Sequence, residues 1–281
     1  MKLCDIQSGQ LLSGFYLLRQ AVQRTTTAGK PYFSGVLTDQ SGSVDLKIWD
    51  YSGPITPADD GKVVWLQGRV SEFKGALQVT ADRIRLATGE DRFSLEDLVP
   101  SAPMDRELAR AQVVKMLSEM EDSDYRAVCQ EMLRRHEAQF LTIPAAKSVH
   151  HGFLGGLLMH TCNMMRTARW LAALYGDFLD KDLLLAGTFL HDFAKMREFS
   201  LSPVGLVSDY SVSGQLLGHL VMGAQEAAEI CRELNVPEEK SVLLQHLILS
   251  HHGEPEFGAA VVPQCAESEL LSYIDMIDSR M

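Results

Sequence analysis

No run of about 18 or more apolar residues occurs in the 281-residue chain, which excludes a membrane-spanning helix on length alone. The N-terminus, MKLCDIQSGQ, lacks the basic-then-apolar order of a secretory signal, so neither a membrane partner nor export is indicated and a cytoplasmic address is expected. Cysteine is scarce and unpaired. Cys4, Cys129, Cys162, Cys231 and Cys265 are odd in number and scattered, with no CxxC spacing. That excludes a disulfide framework and a thiolate zinc site, and the thiols are expected to be reduced and buried. Internal repeats and low-complexity tracts are also missing. Histidine is absent from the first 135 residues: all nine lie from His136 onward, eight of them between His150 and His252.

Charge is as uneven as histidine. Residues 1–92 hold 11 Lys+Arg against 10 Asp+Glu, whereas residues 93–281 hold 15 against 27, so the net charge of −11 comes from the second part. An acidic surface disfavours long-range attraction of nucleic acid. Carboxylates gathered to bind cations would carry the same signature.

The first 92 residues alternate apolar and polar positions in short runs: Phe15 to Val22, Tyr32 to Thr38, Val44 to Trp49, Val63 to Val70 and Leu77 to Leu86. Turn residues separate them, and five strands without a long helix suit a small barrel. From residue 93 to 105 the chain reads as a linker with Pro100 and Pro103, and residues 106–281 have helical periodicity. Helices are predicted over Arg106 to Glu121, Asp124 to Phe140, Gly155 to Leu174, Lys181 to Met196, Gly214 to Leu234, Glu238 to Ser250 and Glu267 to Asp278, with Asp180 as an N-cap. The fold class is therefore multi-domain α+β, a five-stranded β-barrel followed by an all-α bundle.

Within the helical part, His160, the doublet His191-Asp192, His219, the doublet His251-His252, and Asp275 each lie in or at the end of an apolar stretch. A core-facing imidazole or carboxylate is costly unless something satisfies it, and a divalent cation satisfies several together. Imidazole and carboxylate without thiolate suit manganese, iron, zinc, nickel or cobalt rather than calcium or magnesium. Seven ligands are enough for two ions. Asp192 could bridge them, with His160, His191 and Asp275 on one and His219, His251 and His252 on the other, and such a pair activates water for phosphoryl displacement. Lys195, three residues after Asp192, would share its helical face and bring positive charge to a phosphate oxygen. Any one of these histidines alone is more often an ordinary residue; the ordered set is the signal. His246 points to another side of a regular helix and is expected in the core or behind the ligands. His150 and His151 either meet substrate or are solvated, His136 is expected on the surface, and Asp278 supports the ligands from behind.

This ordered pattern, H, HD, H, HH, D, resembles the HD superfamily of metal-dependent phosphohydrolases. The runs PAAKSVHHGFLGGLLMHT, LAGTFLHDFAKMREF, GQLLGHLVMG, HLILSHHGEPEFGA and LLSYIDMID resemble more closely the YhaM family of 3′ to 5′ exoribonucleases, over nearly the whole chain. The resemblance implies an OB-fold domain ahead of an HD domain. It implies a metal site on His160, His191, Asp192, His219, His251, His252 and Asp275, with Lys195 in the HDxxK position and Asp192 and Lys195 in catalysis. It further implies hydrolysis of single-stranded RNA, and of single-stranded DNA, supported usually by manganese. HDFAK stands where the family usually has HDIGK, and a further helix would be expected after Met281.

The segment GSVDLKIWD resembles an OB-fold strand, in a barrel type that often binds single-stranded oligonucleotides. Val44, Leu46 and Ile48 should face the core and Asp45, Lys47 and Trp49 the outside. Trp49, Tyr32, Phe33 and Phe73 are candidates for base stacking, with Lys47 on the backbone; the plain alternative is that the aromatics fill the barrel. Two rival functions stay open: an HD phosphohydrolase of a small nucleotide or cyclic dinucleotide, and a non-catalytic nucleic-acid-binding protein with a structural metal site.

Overall fold

The computed structural model describes residues 1–94, 97–99, 102, 104–145, 153–201 and 207–281. The chain forms two compact units, one built on Met1–Ser101 and one comprising Ala102–Ser200 and Val207–Met281.

Five strands make the first unit: β1 (Leu11–Thr25), β2 (Pro31–Asp39), β3 (Gly42–Trp49), β4 (Val63–Phe73) and β5 (Ala76–Leu86). They close into a barrel in the order β1-β2-β3-β5-β4, antiparallel throughout except for the parallel β3–β5 pair. This is the OB-fold arrangement. Period-two alternation sends Phe33 and Leu37, Val44, Leu46 and Ile48, and Val64, Leu66 and Val70 inward, which makes a closed apolar core. The β4–β5 hairpin turns on Lys74 and Gly75, both at positive φ, as a two-residue turn between right-twisted strands requires. The segment read as a linker starts against the barrel: the Phe93 and Phe15 rings are 4.9 Å apart, and the Gln40 N–H donates to the Asp97 carbonyl at 3.0 Å.

The second unit is helical: α1 (Arg106–Ser118), α2 (Ser123–Phe140), α3 (Gly156–Leu174), α4 (Lys181–Leu190), α5 (Lys195–Glu198), α6 (Val212–Glu233), α7 (Glu238–Ser250) and α8 (Ala266–Asp278). Side chains of Asp105, Asp122, Asp180 and Ser211 cap the first turns of α1, α2, α4 and α6. Helix α4 is largely apolar and is buried from Asp182 to Leu190, and α2, α3, α7 and α8 pack about it. No helix among the described residues is long and apolar enough to cross a membrane.

Three expectations are corrected here. The helix predicted over Lys181 to Met196 ends at Leu190, because the chain tightens into i→i−3 hydrogen bonds from Phe193 to Leu190 and from Lys195 to Asp192 before α5 begins. Two short strands, β6 (Phe199–Leu201) and β7 (Val207–Tyr210), pair where no strand was predicted. The cysteines are free, but Cys4 is exposed and Cys265 only half-buried.

Candidate metal centre

Asp192 lies at the middle of the helical unit, 2 % exposed, just past the end of α4. Around its Oδ2 stand His191 Nε2 at 3.4 Å, His160 Nε2 at 3.6 Å and Lys195 Nζ at 2.6 Å. Around its Oδ1 stand His219 Nε2 at 3.4 Å and His251 Nε2 at 3.7 Å. Asp275 Oδ1 lies 3.3 Å from His160 Nε2, and the His252 ring is 4.3 Å from that of His251. The side chains group by ligand atoms into His160, His191 and Asp275 on one side and His219, His251 and His252 on the other, with His191, Asp192 and His251 between them.

What orients the imidazoles is visible at their other nitrogen. His191 Nδ1 donates to the Thr188 carbonyl at 2.7 Å and His251 Nδ1 to the Ile248 carbonyl at 2.8 Å. A carbonyl only accepts, so each Nδ1 carries the proton and each Nε2 lone pair points at Asp192. His160 Nδ1 donates to Asp278 at 2.7 Å and His219 Nδ1 to Glu198 at 3.0 Å. Four histidines from four parts of the chain therefore present the same nitrogen inward, each fixed from behind by an oxygen, as ligating histidines are.

Glu198 and its helix are placed by two glycines. Gly214 lets the first turn of α6 lie against the Glu198 backbone: a Cβ there would come within 2.2 Å of the Glu198 carbonyl oxygen. Gly218 kinks α6 at φ 71°, ψ 165°, a conformation essentially confined to glycine, and so turns the next residue, His219, onto Glu198.

Electrostatics follow from burial and proximity. Burial alone would raise the Asp192 carboxyl, but Lys195, His191 and His219 hold it well below the ordinary carboxylate range. Burial would lower the Lys195 ammonium, yet Asp192 keeps it above its usual value. His160, which burial would depress, is carried up to about 9 by its hydrogen bonds to Asp275 and Asp278. His251 and His252 are pushed down, first by burial and then by the neighbouring imidazoles His191 and His219 respectively.

The residues fit a divalent cation. Among the described residues, five buried side-chain polar atoms have no hydrogen-bond partner, and four of them are Asp192 Oδ1, His219 Nε2, His251 Nε2 and His252 Nδ1. Buried acceptors are rarely left unsatisfied. Gathered here around one carboxylate, they constitute a nitrogen and oxygen donor set without sulfur, suited to a first-row transition ion.

The HD domain family matches residues 157–280. Over 280 residues the chain is 35% identical to the 3′-5′ exoribonuclease YhaM of Halalkalibacterium halodurans, covering 98% of this chain and 85% of that protein. The chain belongs to the YhaM family. The Bacillus subtilis 3′-5′ exoribonuclease YhaM is 34% identical over 275 residues, 97% of this chain and 86% of its own length. Among solved structures, the OB domain of Ta0387 from Thermoplasma acidophilum is similar over 34% of this chain and 92% of that domain, at 18% identity and a TM-score of 0.28. Membership in the YhaM family, with its matched HD domain, makes the chain a divalent-metal-dependent hydrolase, and these side chains are grouped so that they could hold the metal.

The remaining predicted site residues fall in different places in this YhaM-family chain. Trp49 is half exposed and pairs across β2 and β3 with Tyr32, ring centroids 5.2 Å apart, on the outside of the barrel. Lys47, on the same outward side of β3, is half-buried, and Phe73 is exposed at the β4–β5 hairpin beneath Lys74. Phe33 is fully buried against Tyr51 in the barrel core, which removes it as a stacking residue, since strand alternation puts it on the face opposite Tyr32. His150 and His151 lie outside the described residues. His136 is not an ordinary surface residue: it is half-buried, bonded to Glu226 at 2.6 Å and edge-on to Phe193. His246 accepts from the Gln264 N–H, away from the centre. Glu198 was missed; its only signal in the sequence is a carboxylate beside Phe199 shortly after HDFAK.

Proposed function

We propose that this chain is a metal-dependent 3′ to 5′ exoribonuclease that hydrolyses single-stranded RNA, with single-stranded DNA as a second substrate, to nucleoside 5′-monophosphates. Kinship with YhaM exoribonucleases and the HD domain support the hydrolytic nuclease activity. The single observation that carries the reading is the convergence of four Nδ1-anchored histidines on the two oxygens of Asp192.

Two ions are favoured because the ligand groups fall on opposite oxygens of Asp192, and manganese leads iron, zinc, nickel and cobalt as the occupant. His160, His191 and Asp275 would hold one and His219, His251 and His252 the other, with Asp192 shared. Bound there, divalent ions supply Lewis-acid charge to a phosphodiester and lower the pKa of water. The chain's own residues do the rest: the Nδ1 anchors fix the imidazoles before substrate arrives, and Lys195, beside Asp192, faces the negative charge that grows on the phosphate. Oxygen of water bonds to phosphorus, the bond from phosphorus to the 3′ oxygen of the penultimate nucleotide breaks, and that oxygen leaves with a proton.

Residues 1–92 act as the nucleic-acid-binding domain, through the Trp49–Tyr32 pair and Lys47, residues 93–105 as the linker and residues 106–281 as the phosphohydrolase domain. The free cysteines suit the cytoplasm. The test is a 5′-labelled single-stranded RNA incubated with the protein and manganese, beside a chelator control and a 3′-phosphate-blocked substrate. A ladder shortening from the 3′ end and absent with chelator is expected. Intact RNA would overturn the reading in favour of a small-nucleotide substrate.

A further inference from the structure

A cavity of about 170 Å³ opens on the metal centre. Its lining includes His251, His252 and Asp275 together with Phe257, Met276 and Arg280. Phe257 is 65% exposed, an unusual place for a large apolar ring. It is nevertheless held firmly, on the short turn Pro255–Phe257 between Gly253 and Gly258, both at positive φ, with the Phe257 N–H donating to the Glu254 carbonyl at 2.9 Å and the Ala260 N–H to the Leu249 carbonyl at 2.9 Å. Arg280, which lines the cavity, has no ion-pair partner among the described residues, although residues 93–281 hold 27 Asp+Glu.

We infer that this cavity is the subsite for the 3′-terminal nucleotide, with Phe257 stacking on its base and Arg280 facing its phosphate. The inference rests on the exoribonuclease reading. Because the cavity shares walls with the ligands, anything seated in it has its atoms beside the reacting phosphate. An exposed aromatic ring sharing a cavity with the apolar Met276 matches the face of a base, and stacking accepts every base alike, as an enzyme that removes successive nucleotides requires. A free guanidinium in the same cavity matches a phosphate oxygen. The cavity is open to solvent on one side and lined by His252 and Asp275 on the other, so it can receive a chain end while the rest of the strand stays outside.

The test uses the full chain with manganese and two RNAs that differ only at the 3′-terminal residue, adenosine or an abasic ribose, with kcat/KM measured for the wild type and Phe257→Ala. The wild type is expected to lose about tenfold when the base is removed. Phe257→Ala should already be lower by about that factor on the adenosine substrate and lose little more on the abasic one, while Phe257→Trp restores the difference. Arg280→Ala should raise KM on both substrates alike. A second readout, without turnover, is the fluorescence of a 3′-terminal 2-aminopurine in an oligonucleotide bound to chelator-treated protein: quenched by the wild type, unquenched by Phe257→Ala. An equal base penalty in wild type and variant, or no quenching by the wild type, would overturn the subsite while RNA hydrolysis stands. Failure of the wild type to shorten either RNA would sink the exoribonuclease reading, and the subsite with it.

Discussion

Glu198 Oε1 accepts two hydrogen bonds from a single residue, His219: one from its backbone N–H at 3.1 Å and one from its Nδ1 at 3.0 Å. The side chain and the chain direction of His219 are thus set by the same oxygen, and its Nε2 is left aimed at Asp192. Glu198→Ala is expected to weaken divalent-metal binding by about 10–100-fold, the usual cost of losing a partner behind a ligating histidine. Titrating manganese into chelator-stripped protein checks this, and an unchanged affinity would remove Glu198 from the centre.

Asp192→Ala should abolish turnover while oligonucleotide binding persists, because it removes the carboxylate on which both ligand groups converge. Near-normal activity in that variant would rule out a shared ligand. Lys195→Met should lower kcat by about 10²–10³-fold. It should also destabilise the metal-free protein by about 3–5 kcal/mol, since the Asp192 charge is left buried without its close cation. Steady-state kinetics and denaturant unfolding separate the two effects.

Trp49→Ala and Phe33→Ala should part company although both aromatics lie on neighbouring strands. The exposed Trp49 is expected to cost RNA affinity, about 1–3 kcal/mol if one base stacks there, with no change in melting. The fully buried Phe33 is expected to cost about 3–5 kcal/mol of barrel stability. Fluorescence anisotropy and thermal melts on the same preparations decide.

Glu226 ties α6 to both His136, at 2.6 Å, and Arg197, at 3.1 Å. Burial would raise its carboxyl, but these two partners hold it below the ordinary glutamate value. A carboxylate with a depressed folded pKa adds stability that is fully present above its unfolded pKa of about 4.3 and is lost as pH falls through the folded value. Glu226→Gln should therefore be less stable than wild type near neutrality and converge with it in acid, below about pH 4. Melting curves of metal-free protein across that range test the sign.

Gly218→Ala is expected to cost about 1–3 kcal/mol, because a side chain must leave the φ 71°, ψ 165° conformation that kinks α6. The same change should loosen metal binding, since His219 follows immediately. Unaltered metal affinity with reduced stability would confine the kink to a structural role.

The order of the candidate ligands, the barrel ahead of the helices and most element positions were legible in the sequence, because periodicities of 2 and 3.6 and the burial of histidines in apolar runs are local properties. The α7 span Glu238–Ser250 and the inward row Val44, Leu46 and Ile48 match the prediction for that reason. The end of α4 was illegible because LLLAGTFLHDFAKM stays apolar across the break, so periodicity continues where the backbone does not. Asp278 and His160, 118 residues apart, and Glu198 and His219, 21 apart, meet only through the packing of α3 with α8 and of α5 with α6. Composition and spacing determined which side chains could bind a cation. Tertiary structure alone decided which nitrogen each histidine presents and what lines the mouth of the centre, because hydrogen-bond direction depends on partners that chain order does not bring together.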